Sequence, residues 1–339
     1  MIFLIKVLIA DDSAFMRMQI RSLIETDPNI KVVGVARNGM EAVEKVHALR
    51  PDIVTMDIIM PRMSGIEAVE RIMATCPTPV ILISSLADNE VELTLRALEY
   101  GAIDYISKDQ LSKDILLKKI YMAIESNPYV INQKKQPSED KAVHGALPSK
   151  GSYAIVCIGI STGGPKALAE VIPNIKPDIA APIVIAQHMP PMFTKNLAQR
   201  LDSISAVPVI EAQNNQVLQP GHVYICPGAM NIAIERRNIV SLYPKDMFDY
   251  IHAPSVDLLM ETAGNTYGPE ALCIIMTGMG SDGLAGIQKA KKAGSYIIAQ
   301  SASTCTVFGM PKAIIQHGLH DEIVDLDNIA SRINALCAR

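Results

Sequence analysis

The sequence lacks the features that would assign it to several common functional classes. Its 339 residues carry a net charge of −4, and no basic tail or stripe is present that would follow a nucleic-acid backbone. Its six cysteines are scattered and form no C-x-x-C pair. Because most of them lie inside apolar runs, they indicate reduced, buried thiols in a cytosolic protein.

The sequence also lacks a membrane span and a targeting signal. The opening MIFLIKVLIA (1–10) is apolar, but it is interrupted by Lys6 and leads into two aspartates rather than a small-residue cleavage site. No other run approaches the length that crosses a bilayer. We therefore expect a cytoplasmic protein with no direct membrane insertion, whose chain opens on a β-strand.

Apolar residues are abundant, at 49%, and the length exceeds that of one typical domain. In residues 1–128, short apolar runs alternate with stretches of helical periodicity, which predicts a parallel sheet covered by helices on both faces. The predicted strands are 7–10, 30–36, 52–56, 79–84 and 102–107, and the predicted helices are 13–26, 39–49, 65–75, 87–100 and 112–126.

The segment 132–152 is polar and shows no periodicity, which predicts a flexible linker over residues 129–151. A second alternation over residues 152–339 predicts another doubly wound α/β domain, larger and Rossmann-like. Its predicted strands are 154–160, 182–187, 222–227, 271–276 and 295–300, and its predicted helices are 164–172, 192–202, 255–266, 283–292 and 326–337.

In the first domain, polar side chains follow the ends of several predicted strands: Asp11 and Asp12, Asp57, Ser84 and Lys108. Ligands of parallel α/β sheets bind at this edge. Three carboxylates there repel one another and suit Mg²⁺, which prefers oxygen ligands. Asp57 is then placed to accept a phosphoryl group as a carboxylate nucleophile. Any one of these residues alone would more often be structural, so the prediction depends on their joint occurrence.

This half of the chain resembles the receiver domains of two-component response regulators, which are five-stranded and flavodoxin-like. The resemblance lies in DDSAFMR (11–17), TMDIIMPRMSG (55–65), ISSLA (83–87) and GAIDYISK (101–108). It implies a phosphoacceptor at Asp57, Mg²⁺ at Asp11, Asp12 and Asp57, a switch hydroxyl at Ser84, a switch aromatic at Tyr105 and the receiver lysine at Lys108. The chain departs from the receiver pattern at Asp109, where a proline usually follows the lysine.

In the second domain, GISTGGP (159–165) contains G-x-S-x-G at a predicted strand-to-helix turn, with Ser161 at its centre. The pattern is typical of the nucleophile elbow of α/β hydrolases, but it is weak alone and also fits a turn that binds an anion. Because the stretch lacks both the G-x-G-x-x-G spacing and a Gly-Lys-Ser/Thr sequence, a nucleotide site is disfavoured.

A serine nucleophile needs a base and a group that orients the base. His188 follows the second predicted strand of this domain, and Asp282 follows the fourth, in a loop with three glycines. The alternative for Asp282 is an N-cap of the helix near Gly283. Three strand ends on one edge favour a Ser161–His188–Asp282 triad, with the backbone N–H groups of Thr162 and Met279 as oxyanion donors. Its order along the chain differs from that of α/β hydrolases.

These residues lie in six blocks that together resemble the catalytic domain of chemotaxis protein-glutamate methylesterases, over roughly residues 152–339. The blocks are IGISTGGP, VIAQHMPP, PGHVYICPG, HAPSVDLLM, IIMTGMGSDGLAG and CTVFGMPKAI. With a receiver in front, the whole chain resembles the chemotaxis response regulator protein-glutamate methylesterase/glutamine deamidase family. The resemblance implies Ser161 as nucleophile, His188 as base and Asp282 as the orienting acid.

The resemblance further implies hydrolysis of glutamate γ-methyl esters on methyl-accepting chemotaxis receptors, and deamidation of receptor glutamines by the same machinery. It implies phosphorylation of Asp57 by a chemotaxis histidine kinase, Mg²⁺ as the receiver cofactor and no cofactor for the esterase reaction. We expect the unphosphorylated receiver to restrict access to Ser161. Two alternatives stay open: a serine hydrolase with another ester or amide substrate, and a non-enzymatic response regulator with a binding domain.

Overall fold

The computed structural model describes residues 4–85, 88–125 and 153–338. The chain divides into two compact units, Met1–Gln136 and Pro137–Arg339. The predicted linker over residues 129–151 lies outside the described residues.

The first unit is a five-stranded parallel sheet with strand order β2-β1-β3-β4-β5, the flavodoxin-like arrangement that the resemblance to receiver domains implies. Its strands are β1 Ile5–Ala10, β2 Ile30–Ala36, β3 Ile53–Asp57, β4 Val80–Ser84 and β5 Asp104–Ser107. Its helices are α1 Ala14–Ile24, α2 Gly39–Leu49, α3 Gly65–Thr75, α4 Asp88–Glu99 and α5 Lys113–Glu125.

Local sequence explains where several of these elements begin. The side chains of Ser13, Asn38 and Ser64 accept the backbone N–H groups of α1, α2 and α3, as N-cap residues do. Strands β3 and β4 are buried along their whole length, because helices cover both faces of the sheet. The carboxyl ends of the neighbouring strands β1 and β3 therefore meet at one edge.

The second unit contains a seven-stranded parallel sheet with order β15-β14-β13-β6-β7-β10-β8. The unit's strands are β6 Ile155–Ile160, β7 Ile183–Gln187, β8 Val209–Glu211, β9 Gln216–Val217, β10 Val223–Ile225, β11 Met230–Arg236, β12 Ile239–Pro244, β13 Ala271–Ile275, β14 Tyr296–Gln300 and β15 Glu322–Val324. Its helices are α6 Gly164–Val171, α7 Pro191–Ile204, α8 Val256–Tyr267, α9 Leu284–Lys292, α10 Met310–Gln316 and α11 Leu326–Leu336.

The predicted α/β class is confirmed for both units, and each of the ten predicted strands is present. The structure adds two strands at the edges of the larger sheet, β8 and β15, each of three residues. It also adds a three-stranded antiparallel sheet, β11-β12-β9, which no sequence pattern predicted. The turn between β11 and β12 places Asn238 at φ 60° without a glycine, so the usual hairpin signal is absent from the sequence.

Strand order determines the position of the site in the second unit. Strand β6 lies between β7 and β13. The strands that follow it in the chain are added first on one side of β6, as β7, β8 and β10, and later on the other, as β13, β14 and β15. Ligands bind parallel sheets at such a switch point. All six cysteines are buried and unpaired, as the sequence indicated. Among the described residues, none of the helices combines the length and the apolar character that crossing a membrane requires.

Candidate active site

Three adjacent strands of the second unit carry the predicted triad at their carboxyl ends. Ser161 directly follows β6 and His188 directly follows β7, while Asp282 lies in the loop between β13 and α9. Backbone hydrogen bonds hold these ends together: the N–H of Ser161 donates to the carbonyl of Thr277 at 3.0 Å, and the N–H of His188 donates to the carbonyl of Ile160 at 3.1 Å.

The side chains of these residues form a continuous hydrogen-bonded chain. The Oγ of Ser161 lies 3.1 Å from Nδ1 of His188, and Nε2 of His188 lies 2.7 Å from Oδ2 of Asp282. The side chains of His188 and Asp282 are 12% and 8% exposed, so water is largely excluded from their contact. When Nε2 donates to the carboxylate, Nδ1 is left as the acceptor for the serine proton.

Asp282 is anchored at the start of a helix other than its own. Its carboxylate accepts the backbone N–H groups of Val256 at 2.9 Å and Asp257 at 3.0 Å, the first two residues of α8. Gly283, not Asp282, precedes α9, so the alternative of Asp282 as the N-cap of that helix is wrong.

Two opposing effects act on the pKa of Asp282. Burial raises this pKa, but the hydrogen bond and charge of His188 and the two α8 amides outweigh burial and lower it. The neighbouring Asp257 behaves differently: burial and the adjacent charge of Asp282 raise its pKa. Asp282 therefore keeps its negative charge beside the imidazole.

Glycines allow the loops around Ser161 to approach closely. Gly163 has φ +79°, a conformation that favours glycine, and it precedes α6. A Cβ at Gly278 would lie 2.8 Å from Cβ of Ser161 and 2.4 Å from the sulfur of Met310. The loop after β13 therefore packs directly against the serine turn.

The two predicted oxyanion donors belong to these loops. Thr162 follows Ser161 in the turn before α6, and Met279 follows Gly278 in the loop after β13. Gly278 is held by the carbonyl of Val307, to which its N–H donates at 3.0 Å. The two loops meet at Ser161, and the role of their N–H groups stays a prediction.

His252 is a further neighbour of the triad, which no sequence pattern indicates. Its ring stacks on His188 with centroids 4.4 Å apart and planes inclined by 23°. His252 is exposed and lies two residues before Pro254, in the segment that leads into α8. Only the fold reveals this contact, because 64 positions separate the two histidines in the sequence.

In the first unit, the structure brings together the acidic residues that the sequence predicted. Asp11, Asp12 and Asp57 each offer a carboxylate oxygen, and these atoms lie within 4.8 Å of one another. Asp11 and Asp57 are buried, whereas Asp12 is exposed. Burial raises the pKa of Asp57 to about 6, and the charge of Asp11 adds to the shift, against the hydrogen bond from Lys108.

This cluster fits a hard divalent cation such as Mg²⁺. Three carboxylates converge, and Oδ2 of Asp11 is buried with no hydrogen-bond donor in the described chain. The ammonium of Lys108 lies 3.8 Å from this oxygen, beyond hydrogen-bond distance. A buried carboxylate oxygen without a hydrogen-bond donor is costly, and a metal ion would satisfy it. One carboxylate oxygen of Asp57 accepts the backbone N–H of Ile58 at 2.8 Å, and the other accepts a hydrogen bond from Nζ of Lys108 at 2.9 Å.

The remaining receiver positions lie on β4, on β5 and directly after β5. Lys108 reaches Asp57 although Asp109 follows it, and the only cis peptide in the described residues is Ala253–Pro254. Ser84, at the end of β4, is fully buried, with its Oγ 3.3 Å from Oγ1 of Thr94. Tyr105 lies on β5, and burial raises its pKa.

Two further side chains contact the serine turn, and the predicted site did not include them. Gln187 ends β7, and its side-chain Nε2 donates to the carbonyl of Ser161 at 2.9 Å. Thr277 follows β13, and its hydroxyl donates to the carbonyl of Thr162 at 2.9 Å. A polar residue at the end of an otherwise apolar strand, as in IVIAQ (183–187), is the sequence signal that could have found Gln187.

Two family models match separate parts of the chain. The CheB methylesterase family model matches residues 156–333, and the response regulator receiver domain model matches residues 7–121. The protein-glutamate methylesterase/protein-glutamine glutaminase of Thermotoga maritima is 42% identical over 339 residues, with 97% of each chain covered. The protein of that name from Halalkalibacterium halodurans is 42% identical over 342 residues, with 99% of each chain covered.

A solved structure also resembles the second unit. The crystal structure of the Thermotoga maritima CheB methylesterase catalytic domain aligns with a TM-score of 0.51 and 41% sequence identity. It covers 54% of this chain and 97% of that domain. The chain therefore belongs to the CheB methylesterase family, with a response regulator receiver domain ahead of the methylesterase domain.

Proposed function

We propose that this protein is a phosphorylation-activated serine esterase of chemotaxis adaptation. It hydrolyses glutamate γ-methyl esters on methyl-accepting chemotaxis receptors to glutamate and methanol, and it deamidates receptor glutamines to glutamate and ammonia. The observation that carries the proposal is the hydrogen-bonded chain from Ser161 through His188 to Asp282, in a chain of the methylesterase family.

The geometry supports a two-step acyl transfer. His188 takes the proton of Ser161 as its Oγ attacks the ester carbonyl, and Asp282 stabilises the imidazolium that forms. The N–H groups of Thr162 and Met279 stabilise the oxyanion of the tetrahedral intermediate. Methoxide leaves with the proton from His188, and water then hydrolyses the acyl-enzyme with His188 again as base.

Deamidation uses the same steps with a different leaving group. A glutamine side chain has its carbonyl at the same position as the ester and passes through an equivalent tetrahedral intermediate. His188 then protonates the departing nitrogen, and ammonia is released instead of methanol. No metal ion and no cofactor is required of the second domain for either reaction.

We propose that residues 1–128 form the receiver domain, residues 129–151 the linker and residues 152–339 the methylesterase domain. Asp57 accepts a phosphoryl group from a chemotaxis histidine kinase, and Lys108 neutralises charge on the product. Asp11, Asp12 and Asp57 would hold Mg²⁺, which would supply positive charge to offset that of the carboxylate and phosphoryl groups.

Phosphorylation of Asp57 controls the esterase in this proposal. The unphosphorylated receiver restricts access to Ser161, and the aspartyl phosphate moves Ser84 and Tyr105 and releases the site. The protein acts from the cytoplasm on membrane receptors without inserting into the membrane, and nucleic acid is not among its partners.

The test is methanol release from membranes that contain methylated chemoreceptors, with and without a small phosphodonor. We expect release by the full-length protein, more release with the phosphodonor, and none above background for Ser161→Ala. Asp282→Asn should lower turnover by roughly 10³–10⁴-fold, since the imidazole then loses its orienting charge. Turnover of Ser161→Ala near that of the wild type would exclude the triad.

Asp321→Asn is the matched control for Asp282→Asn. Asp321 also accepts a backbone N–H, that of Ile297 at 2.8 Å, but it precedes β15 and so lies at the amino ends of the strands, away from Ser161. The Asp321→Asn variant should retain wild-type turnover. Hydrolysis of small esters without methanol release from receptors would instead identify a serine hydrolase with another substrate.

A further inference from the structure

The side chain of Gln187 bridges two of the strand ends that carry the triad. It is 1% exposed, and its Nε2 donates to the carbonyl of Ser161 at 2.9 Å and to the carbonyl of His188 at 3.3 Å. A single buried amide therefore contacts the backbone of both the nucleophile and the base. Buried polar groups that are hydrogen-bonded in this way restrain the backbone they contact.

The hydrogen bond from Gln187 to the carbonyl of Ser161 also determines where the N–H of Thr162 points. The carbonyl of Ser161 and the N–H of Thr162 belong to one planar trans peptide, so they point in opposite directions. The carbonyl is held by Gln187 and by the N–H of Gly164, both at 2.9 Å. Holding the carbonyl on one side of the turn aims the Thr162 N–H at the other side.

Thr277 holds the next peptide of the same turn. Its hydroxyl donates to the carbonyl of Thr162 at 2.9 Å and accepts the N–H of Val307 at 3.0 Å. Its own carbonyl accepts the N–H of Ser161. Both peptides that flank Thr162 are thus fixed by buried side chains from the two strands beside β6.

Burying the side-chain amide of Gln187 costs folding free energy that an apolar side chain of similar size would not cost. Its Oε1 is buried and has no donor in the described chain, and it would lie 1.8 Å from a Cβ at Gly164. An unpaired buried acceptor is unfavourable for stability. Such a cost is typical of residues retained for their effect on a functional site.

We propose that Gln187 and Thr277 are positioning residues that aim the Thr162 N–H at the oxyanion of the tetrahedral intermediate. They act through the backbone of the serine turn and do not touch the substrate. The proposal rests on the proposed ester hydrolysis, and it adds two residues that determine how well the turn stabilises negative charge.

The test compares Gln187→Met and Thr277→Val in the full-length protein, with p-nitrophenyl acetate as substrate and phenylboronic acid as a probe that forms a tetrahedral adduct on Ser161. Loss of one oxyanion donor lowers kcat by about 10²–10³-fold, and a misaimed donor should lower it by roughly 10–100-fold. We expect KM to stay within about twofold and the inhibition constant of the boronate to rise in proportion to the loss of kcat.

The pH profile separates this role from an effect on His188. Because Gln187 also contacts the His188 carbonyl, a disturbed base would shift the acidic limb of kcat/KM, and we expect no shift. Thr277→Ser keeps the hydroxyl and should restore turnover to near the wild-type value. A shifted acidic limb, or a boronate affinity unchanged while kcat falls, would overturn the proposal.

Ser295→Ala is the control for loss of a buried donor. The Ser295 hydroxyl donates to the carbonyl of Gly268 at 2.9 Å and precedes β14, at the edge of the sheet opposite Ser161. Equal loss of kcat in this variant would also contradict the proposal. Should Gln187→Met fail to fold by circular dichroism, the comparison of Thr277→Val with Thr277→Ser decides the outcome.

The proposed function is tested separately in the same variants. If the wild-type protein released no methanol from receptor membranes but the variants lost p-nitrophenyl acetate turnover and boronate affinity together, the receptor substrate would be wrong and the positioning role would stand. If methanol release were intact in Gln187→Met and Thr277→Val, the positioning role would be wrong and the proposed function would stand.

Discussion

At the scale of single residues, the surroundings of Asp282 keep its carboxylate charged beside the proposed base, His188. Asp282 is largely buried yet has a lowered pKa, because His188 and two helix amides stabilise its charge. The carboxylate is therefore ionised at neutral pH and can stabilise an imidazolium on His188 as the proton arrives from Ser161.

His252→Ala should reduce activity without removing it. The ring of His252 covers one face of His188, and a stacked aromatic pair contributes about 0.5–1.5 kcal/mol beyond its buried area. Without it, the imidazole gains freedom to rotate away from Ser161, so we expect kcat/KM to fall by roughly 2–10-fold in ester hydrolysis.

His222→Ala provides the comparison, since His222 also stacks on an aromatic ring, that of Tyr224, but precedes β10 at the opposite edge of the sheet. Its activity should equal that of the wild type. A His252→Ala variant that was equally active would mean that the stack does not orient the base.

Mg²⁺ binding by the receiver should weaken in acid. Burial raises the pKa of Asp57 to about 6, so the carboxyl holds its proton at higher pH than an exposed aspartate does. Because a metal binds the deprotonated form, the association constant should change little between pH 7 and 8 and fall about tenfold per pH unit below 6. Calorimetric titration with Mg²⁺ at a series of pH values measures this.

Asp57→Asn removes this titrating carboxyl and should flatten the pH dependence between pH 5 and 7, with weaker binding throughout. An affinity of the wild-type receiver that was constant down to pH 5 would show that Asp57 is not protonated in this range.

At the scale of strands and loops, the site depends on two loops that touch. The turn after β6 carries Ser161, and the loop after β13 passes so close that Gly278 leaves no room for a side chain. The hydrogen bond from Ser161 to the Thr277 carbonyl fixes the distance between them. Position 278 therefore requires glycine, because the two loops are too close for a side chain there.

Gly278→Ala should therefore impair catalysis more than folding. The added Cβ would lie 2.8 Å from Cβ of Ser161, so the serine or its loop must shift. A displacement near 1 Å at a reacting group costs on the order of 100-fold in rate, and we expect a loss of about that size in ester turnover. Thermal unfolding, followed by circular dichroism, should show a small decrease in Tm.

Gly318→Ala serves as the control, because it should lower stability and leave turnover unchanged. Gly318 has φ +63° with open space where a Cβ would lie, and it follows α10. The substitution introduces backbone strain of about 1–2 kcal/mol without crowding the site. Stability should fall and turnover should remain; an unaffected Gly278→Ala enzyme would contradict the packing argument.

At the scale of the whole molecule, two α/β units are joined in one chain, and each carries a cluster of functional side chains at the carboxyl ends of its strands. The proposed coupling predicts that Asp57→Asn retains basal esterase activity but is not stimulated by a small phosphodonor. An asparagine cannot form the acyl phosphate that would shift the receiver between its two states. Methanol release with and without phosphodonor measures the effect.

Asp52→Asn is the matched control for this experiment. Asp52 is an exposed aspartate that accepts the N–H of Lys6 at 2.7 Å and precedes β3. This variant should be stimulated like the wild type. Stimulation that survived in Asp57→Asn would contradict the coupling, whatever the basal activity.

The sequence by itself determined the fold class and most of its elements. Alternating apolar runs predicted the ten main parallel strands, because buried strands must be apolar and their covering helices amphipathic. It also predicted that Ser161, His188 and Asp282 lie at one sheet edge, and that Asp11, Asp12 and Asp57 cluster, since carboxyl ends of neighbouring parallel strands meet.

Only the tertiary structure decided which side chains touch across the strands. Strand order placed β6 between β7 and β13, and this order brought Gln187 and Thr277 onto the backbone of the serine turn. It also placed His252 on His188 and put Asp282 at the start of α8 rather than its own helix. Such contacts join residues far apart in the chain, and no local pattern encodes them, because they depend on how separate elements pack.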